Sequence, residues 1–256
     1  MPVGGLAVVT GGSSGIGAAI ARRLAVRGQR CVLLARGEER LQAVAGEIGG
    51  EYEVCDVAER AEVERAAARV LNRHPRVDLL VNSAGVPGRV GFLTGEPERI
   101  EQVVRINYLG SVWTLRAFLP GLEAAAPSDV VNIVSVAGLV ATPASGPYSA
   151  AKHAQLAFSR SVGVELSPRR IRVHTVSPGL VETEGFPQRD VLASPILSRL
   201  VVQPETVASH VVDMIDRGRR ERVVPRCYRV AALAQAISPS LVDFALRRVD
   251  YRKGTV

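Results

Sequence analysis

A chain of 256 residues with 47% hydrophobic but only 4% aromatic residues fits one domain with a core of Ala, Val, Leu and Ile, and argues against disorder or two full domains. No run approaches the roughly 18 apolar residues that a bilayer span requires, and the first apolar stretch has neither a basic leader nor a cleavage site, so cytoplasmic residence is the default expectation. The formal charge of +7 is spread over several segments without interleaved aromatics, which argues for a solvated basic surface and against nucleic acid, although an anionic cofactor or acyl carrier would suit it too.

Short apolar runs at 6–10, 30–35, 52–55, 79–82, 130–135, 172–176 and 222–224 lack strict alternation, the pattern of strands buried on both faces. Helical periodicity fills 15–27, 38–48, 60–72, 97–125, 147–166 and 204–217, and Pro97, Pro147 and Pro204 sit at helix starts, where a missing N–H does no harm. This alternation predicts one doubly wound α/β domain over 1–256, with a mainly parallel seven-stranded sheet and helices on both faces. Residues 182–202 carry Gly185, Pro187 and Pro195 and are the least periodic. They predict a loop with one short helix, and 183–202 is a candidate substrate loop or lid. The tail at 219–256 predicts a helical extension, with patterns at 230–237 and 241–246 split by Pro239. Subunit packing or closure of a cleft is its expected use, and interleaved basic and apolar residues make peripheral membrane contact the alternative. Cys31, Cys55 and Cys227 are odd in number and lack CxxC spacing, so reduced, structural thiols and no metal are expected.

Gly11, Gly15 and Gly17, with Ser13, Ser14 and Ile16 among them, follow the first strand and open the first helix. Glycines there let the backbone turn sharply and approach a pyrophosphate, and the helix N-terminus offers free N–H groups and the positive end of a dipole. The second strand ends in Leu34, Ala35 and Arg36, where an acidic residue would hold a ribose 2′-hydroxyl and a guanidinium instead suits a 2′-phosphate. Arg36 therefore points to NADP(H), with NAD(H) the weaker alternative and a surface arginine the plain one. Tyr148 and Lys152 stand one helical turn apart and project from one face. A phenol with a pKa of about 10 needs a downward shift of roughly 3 units to exchange protons near neutrality. The Lys152 ammonium, together with an oxidised nicotinamide, is expected to supply that shift.

The TGxxxGxG spacing from Thr10 to Gly17, the YxxxK pair and the order of the remaining motifs resemble the classical short-chain dehydrogenase/reductase family along nearly the whole chain. The resemblance implies a Rossmann-type fold in which Asp56 binds the adenine amine and Val57 adds backbone contacts. It implies cofactor contacts at Asn82, Ala84 and Gly85, where Ser83 replaces the family's second Asn. Asn107, Ser135, Tyr148 and Lys152 match the catalytic set. By resemblance Tyr148 donates the proton, Ser135 hydrogen-bonds the substrate oxygen, Lys152 holds the nicotinamide ribose, and Asn107 holds a water linking Lys152 to solvent. Pro178 and Gly179 would shape a turn beside the nicotinamide, with the Val181 backbone and the Thr183 hydroxyl contacting it. Each residue also has a plainer role open to it: Ser135 as a strand-end cap, Asn107 as a helix bend. His153 points to another face than Lys152.

These motifs together predict an NADP(H)-dependent oxidoreductase moving hydride between nicotinamide and a carbonyl or alcohol carbon. A non-catalytic NADP-binding regulator and an epimerase or dehydratase are the alternatives. Mostly apolar residues at 136–146, Leu180 and 184–200 favour an apolar small-molecule substrate. The family resemblance implies a homodimer or homotetramer packed through the helices that hold Trp113 and Tyr148.

Overall fold

The computed structural model describes residues 4–88, 91–93, 95–141, 145–185 and 197–248. The strands are β1 (Leu6–Thr10), β2 (Arg30–Ala35), β3 (Glu51–Val54), β4 (Leu79–Asn82), β5 (Ser128–Ile133), β6 (Ile171–Pro178), β7 (Leu180–Val181), β8 (Val201–Val202) and β9 (Glu221–Val224). Seven of them form one all-parallel sheet in the order β3-β2-β1-β4-β5-β6-β9, while β7 and β8 pair separately. The helices are α1 (Gly15–Val26), α2 (Glu38–Ile48), α3 (Arg60–Arg73), α4 (Pro97–Val104), α5 (Gly110–Ala125), α6 (Gly146–Glu165), α7 (Pro204–Asp216), α8 (Tyr228–Ile237) and α9 (Pro239–Arg248). None of them is long and apolar enough, over the described residues, to cross a membrane.

Successive side chains of β1 point to opposite faces and feed two cores. Ala7 and Val9 pack with Ile20, Leu24 and Val211 on one face, and Leu6 and Val8 pack with Val70, Phe118 and Leu122 on the other. That double burial explains why the strands read as unbroken apolar runs. The strand order reverses at β1, between β2 and β4, so the connections leaving β1 and β4 diverge and open a crevice at their carboxyl ends.

Two expectations need correction. The predicted helix over 97–125 is interrupted by a π-turn at Arg105–Leu109. There Asn107 donates its amide to the Val103 carbonyl at 3.0 Å and to the Val86 carbonyl at 3.1 Å, so a side chain takes up an acceptor of the helical ladder and the turn widens. The fifth strand runs Ser128–Ile133 rather than 130–135, because Ser135 has left the sheet to cap a 3-10 turn over Val136–Gly138, its hydroxyl accepting from Ala137 N at 3.1 Å. Of the predicted loop at 182–202, positions 186–196, with Pro187 and Pro195, lie outside the described residues; its short helix is a 3-10 turn at Leu197–Leu200.

Candidate active site

The glycine turn leads β1 into α1 at the floor of a cavity of about 1010 Å³. Gly17 crosses the start of the turn so closely that a Cβ would lie 2.3 Å from the Gly11 carbonyl oxygen. A side chain there would push the turn open. Ser14 occupies the N-cap of α1 without a side-chain cap, and no acidic residue stands in the first turn. The first-turn N–H groups therefore lack an intrahelical partner and a capping oxygen, the arrangement that receives an anion. Thr10 locks this turn to the end of β4: its hydroxyl accepts from Ser83 N and Ala84 N, both at 3.1 Å.

Arg36 leaves the end of β2 at the cavity wall, half exposed, with Nη1 3.6 Å from the Asp56 carboxylate. Asp56 in turn accepts from Ala58 N at 2.9 Å, and its own N–H donates to Glu62 at 2.9 Å, so the carboxylate is held in a fixed turn. No carboxylate occupies the strand end itself. A second guanidinium, Arg40, reaches the same cavity from the first part of α2 and pairs with Glu184 at 3.1 Å. These groups fit a dinucleotide: an uncapped helix end and a turn with no room for side chains face the cavity, and two guanidinium groups line its wall.

At the other end, α6 brings Tyr148 and Lys152 to one face. Tyr148 and Ser135 are hydrogen-bonded through their side chains, and burial pushes the phenol up to about 12 against the lowering effect of that bond. The Lys152 ammonium lies 5.8 Å from the centre of the Tyr148 ring. It donates to the Ile133 carbonyl at 3.0 Å and to Gln155 Oε1 at 2.9 Å, and burial pushes it down to about 7. Asn107 Oδ1 accepts from Val86 N at 3.3 Å, which pins the strap after β4 over this end of the cavity. The turn at Pro178 and Gly179 closes the same region: a Cβ on Gly179 would sit 2.1 Å from the Tyr228 ring.

A family model described as short chain dehydrogenase matches residues 5–190. The chain belongs to the short-chain dehydrogenase family. Among its curated relatives, the 3-oxoacyl-[acyl-carrier-protein] reductase of Bos taurus is 36% identical over 178 residues, covering 69% of this chain and 75% of the bovine protein. Among solved structures, an alcohol dehydrogenase from the archaeon Thermococcus sibiricus, complexed with 5-hydroxy-NADP, superposes with a TM-score of 0.77 at 29% identity. That match covers 86% of this chain and 95% of the archaeal one. A short chain dehydrogenase/reductase from Burkholderia phymatum in complex with NAD gives a TM-score of 0.82 at 25% identity, covering 94% and 97% of the two chains.

Within this short-chain dehydrogenase cleft lie nearly all the residues singled out from the sequence. Gly11, Ser13, Ser14, Gly15, Ile16, Gly17, Arg36, Asp56, Val57, Ala84, Gly85, Asn107, Ser135, Tyr148, Lys152, Pro178, Gly179, Val181 and Thr183 all line the cavity. Asn82 does not. Its amide donates to Asn132 Oδ1 at 2.8 Å and its carbonyl accepts from the Thr114 hydroxyl at 2.6 Å, which turns it into the core behind the cleft. The expected lowering of the Tyr148 pKa rests on Lys152 together with an oxidised nicotinamide; in the protein by itself the phenol is pushed up instead. Lys152 is buried and Tyr148 half-buried, and desolvation disfavours the charged form of each, pushing the lysine down while the phenol stays protonated.

Several residues in or behind the cleft escape the sequence patterns. Gln155 donates to Ser111 Oγ at 2.7 Å, and Asn132 donates to Ser159 Oγ at 2.8 Å, forming a buried polar chain behind Lys152. The available signal is the row Lys152, Gln155, Ser159, polar at i, i+3 and i+7 on the buried face of α6. Arg40 carries a fainter one, four residues after Arg36. Of the expected substrate wall, Val136, Ala137, Val140 and Leu180 line the cavity, joined by Tyr228 and Ala231 from α8. Positions 142–144 and 186–196 lie outside the described residues.

Proposed function

We propose that the chain is an NADP(H)-dependent reductase of apolar carbonyl compounds, reversible as an alcohol dehydrogenase. The observation that carries this is the hydrogen-bonded Ser135–Tyr148 pair, with Lys152 beside it, in the same cavity as the glycine turn and Arg36. Gly11, Gly15, Gly17 and the start of α1 would hold the pyrophosphate, and Arg36 with Arg40 the 2′-phosphate. Asp56 and Val57 would meet the adenine; Ala84, Gly85, Pro178, Gly179, Val181 and Thr183 would line the path to the nicotinamide. The dinucleotide, when bound, supplies or accepts the hydride. Ser135 orients a carbonyl oxygen, and Tyr148 gives that oxygen the proton from its hydroxyl as charge develops there. Lys152 stands one turn behind as the cation that steadies the phenol after the proton has left. The bovine reductase supports the chemistry and the NADP-bound archaeal dehydrogenase the cofactor, while the NAD-bound Burkholderia protein supports a nicotinamide dinucleotide without the 2′-phosphate.

The wall formed by Val136, Ala137, Val140, Leu180 and Ala231 suits a lipid-like or cyclic carbonyl better than a charged sugar. In this proposal the loop at 183–202 and the tail from 219 form the substrate side of a single domain. The protein works in the cytoplasm as a homodimer or homotetramer. The test is NADPH consumption across a panel of apolar and charged ketones, with Tyr148→Phe alongside. Turnover should favour the apolar members, and the Phe variant should keep NADPH affinity while losing roughly 100- to 10,000-fold in turnover. A parent that oxidises NADPH with no carbonyl, or a Phe variant as fast as the parent, would reject the assignment.

A further inference from the structure

Helix α8 has two unlike faces. Tyr228 and Ala231 turn into the cleft, whereas Val230, Leu233 and Ile237 keep 73%, 60% and 73% of their surface exposed. Their i, i+3, i+7 spacing sets them in one stripe on the side away from the cavity. Phe244 on α9 is a further large apolar side chain left 53% exposed. Exposed guanidinium groups accompany this apolar face. Arg226 lies just before α8, Arg229 in its first turn and Arg247 near the end of α9, and none of the three has an ion-pair partner among the described residues. Other exposed arginines of this molecule do take carboxylates, among them Arg22 with Glu47, Arg27 with Asp216 and Arg160 with Glu221. Between Arg226 and Arg248 the only acidic residue is Asp243.

We propose that the α8–α9 hairpin is a reversible docking surface for an anionic lipid bilayer. Ten-residue helices are about 15 Å long, half the thickness of a hydrocarbon core, so the hairpin lies in the interface and does not cross it. The apolar stripe enters the headgroup and acyl boundary, and the arginines meet lipid phosphates. A second copy seated on this face by a two-fold axis would set arginines against arginines, whereas anionic headgroups neutralise them. Because the opposite face of α8 walls the cleft, docking would place the lipid surface on the outer side of that wall. The claim goes beyond the reductase assignment and does not depend on it.

Flotation of the full-length protein with vesicles tests it, comparing equal parts phosphatidylglycerol and phosphatidylcholine with phosphatidylcholine alone. The protein should float with anionic vesicles at low salt, about five-fold or more above its recovery on neutral vesicles, and high salt should release it. Combined Val230→Ser, Leu233→Ser and Ile237→Ser should abolish flotation. Arg226→Ala with Arg229→Ala should reduce anionic recovery to the neutral level. Both variants should keep the parent's turnover of a water-soluble ketone measured without vesicles, which separates loss of docking from loss of the reductase site. The proposal falls if the parent stays unbound at low salt or binds both vesicle types equally. It also falls if gel filtration shows the subunit number dropping in the serine variant, which would give this face to a second copy.

Discussion

Lys152 is held by the Ile133 carbonyl and Gln155 Oε1 in a place where burial lowers its pKa from 10.5 to about 7. Between those two values the unfolded chain binds a proton that the folded chain does not, so stability rises with pH across that window and the full cost is present below pH 7. Lys152→Met should therefore stabilise most at about pH 6 and progressively less toward pH 9; thermal melts of parent and variant with parallel pH slopes would refute the buried-cation account. Arg36 poses the cofactor question in the same way, through one charge. Under the NADP(H) proposal, Arg36→Asp would remove a charge-assisted hydrogen bond to a 2′-phosphate and add repulsion, so the KM for NADPH should rise by roughly 10- to 100-fold while that for NADH changes little or falls. Steady-state kinetics with both dinucleotides decide it, and an unchanged ratio would return Arg36 to the status of a surface side chain. The placing of Arg36, Tyr148 and Lys152 at the cavity is legible in the sequence because local features set it: a strand end for Arg36 and one helical turn for the other two. The direction of Asn82 is not, since it depends on the register that sets Asn82 opposite Asn132 on a strand 50 residues away.

The glycine turn is the element most fully legible from the chain, because a strand, a run of small residues and a helix start follow one another without interruption. Helix interiors with local periodicity, such as α1, α2 and α7, fall within a residue or two of expectation for the same reason. The π-turn between α4 and α5 departs from it, because its cause lies outside the helix: Val86, on the strap after β4, shares Asn107 with Val103. Local sequence carries only the alternative that Asn107 bends a helix. Asn107→Ala would strip Val86 of both side-chain hydrogen bonds and leave its N–H to find water. A cost of about 1–3 kcal/mol in urea unfolding is expected, together with a fall in turnover as the strap over the cleft loosens. A variant with unchanged stability would mean that the π-turn is set by packing alone.

Across the whole molecule the cleft and the anchoring of the sheet lie at opposite ends of the strands. The first residues of β5 and β6 carry Asp129 and Arg172 in register, and the carboxylate accepts from Arg172 at 2.8 and 2.9 Å. His174 joins Asp129 at 2.8 Å and the Arg219 carbonyl at 2.7 Å, tying both strands to the connection before β9. Nothing in the sequence reveals this cluster, because its members are 43 and 45 residues apart and meet only once the strands are aligned. Burial would raise the Asp129 pKa, but the hydrogen bonds from His174 and Arg172 outweigh it and hold the carboxyl below its usual 3.8. A depressed carboxyl pKa contributes stability that is complete above pH 3.8 and is lost as pH falls through the folded-state value. Asp129→Ala should thus cost about 3 kcal/mol near neutrality, where it leaves a buried ring and a guanidinium uncompensated. That corresponds to a melting temperature lower by roughly 6–12 °C. The gap between parent and variant should narrow in acid, and NADPH turnover by the folded variant should match the parent, since the cluster lies at the far end of the sheet from Tyr148. Equal melting near neutrality, or a gap that persists undiminished below pH 3, would show that the sheet is anchored by other contacts.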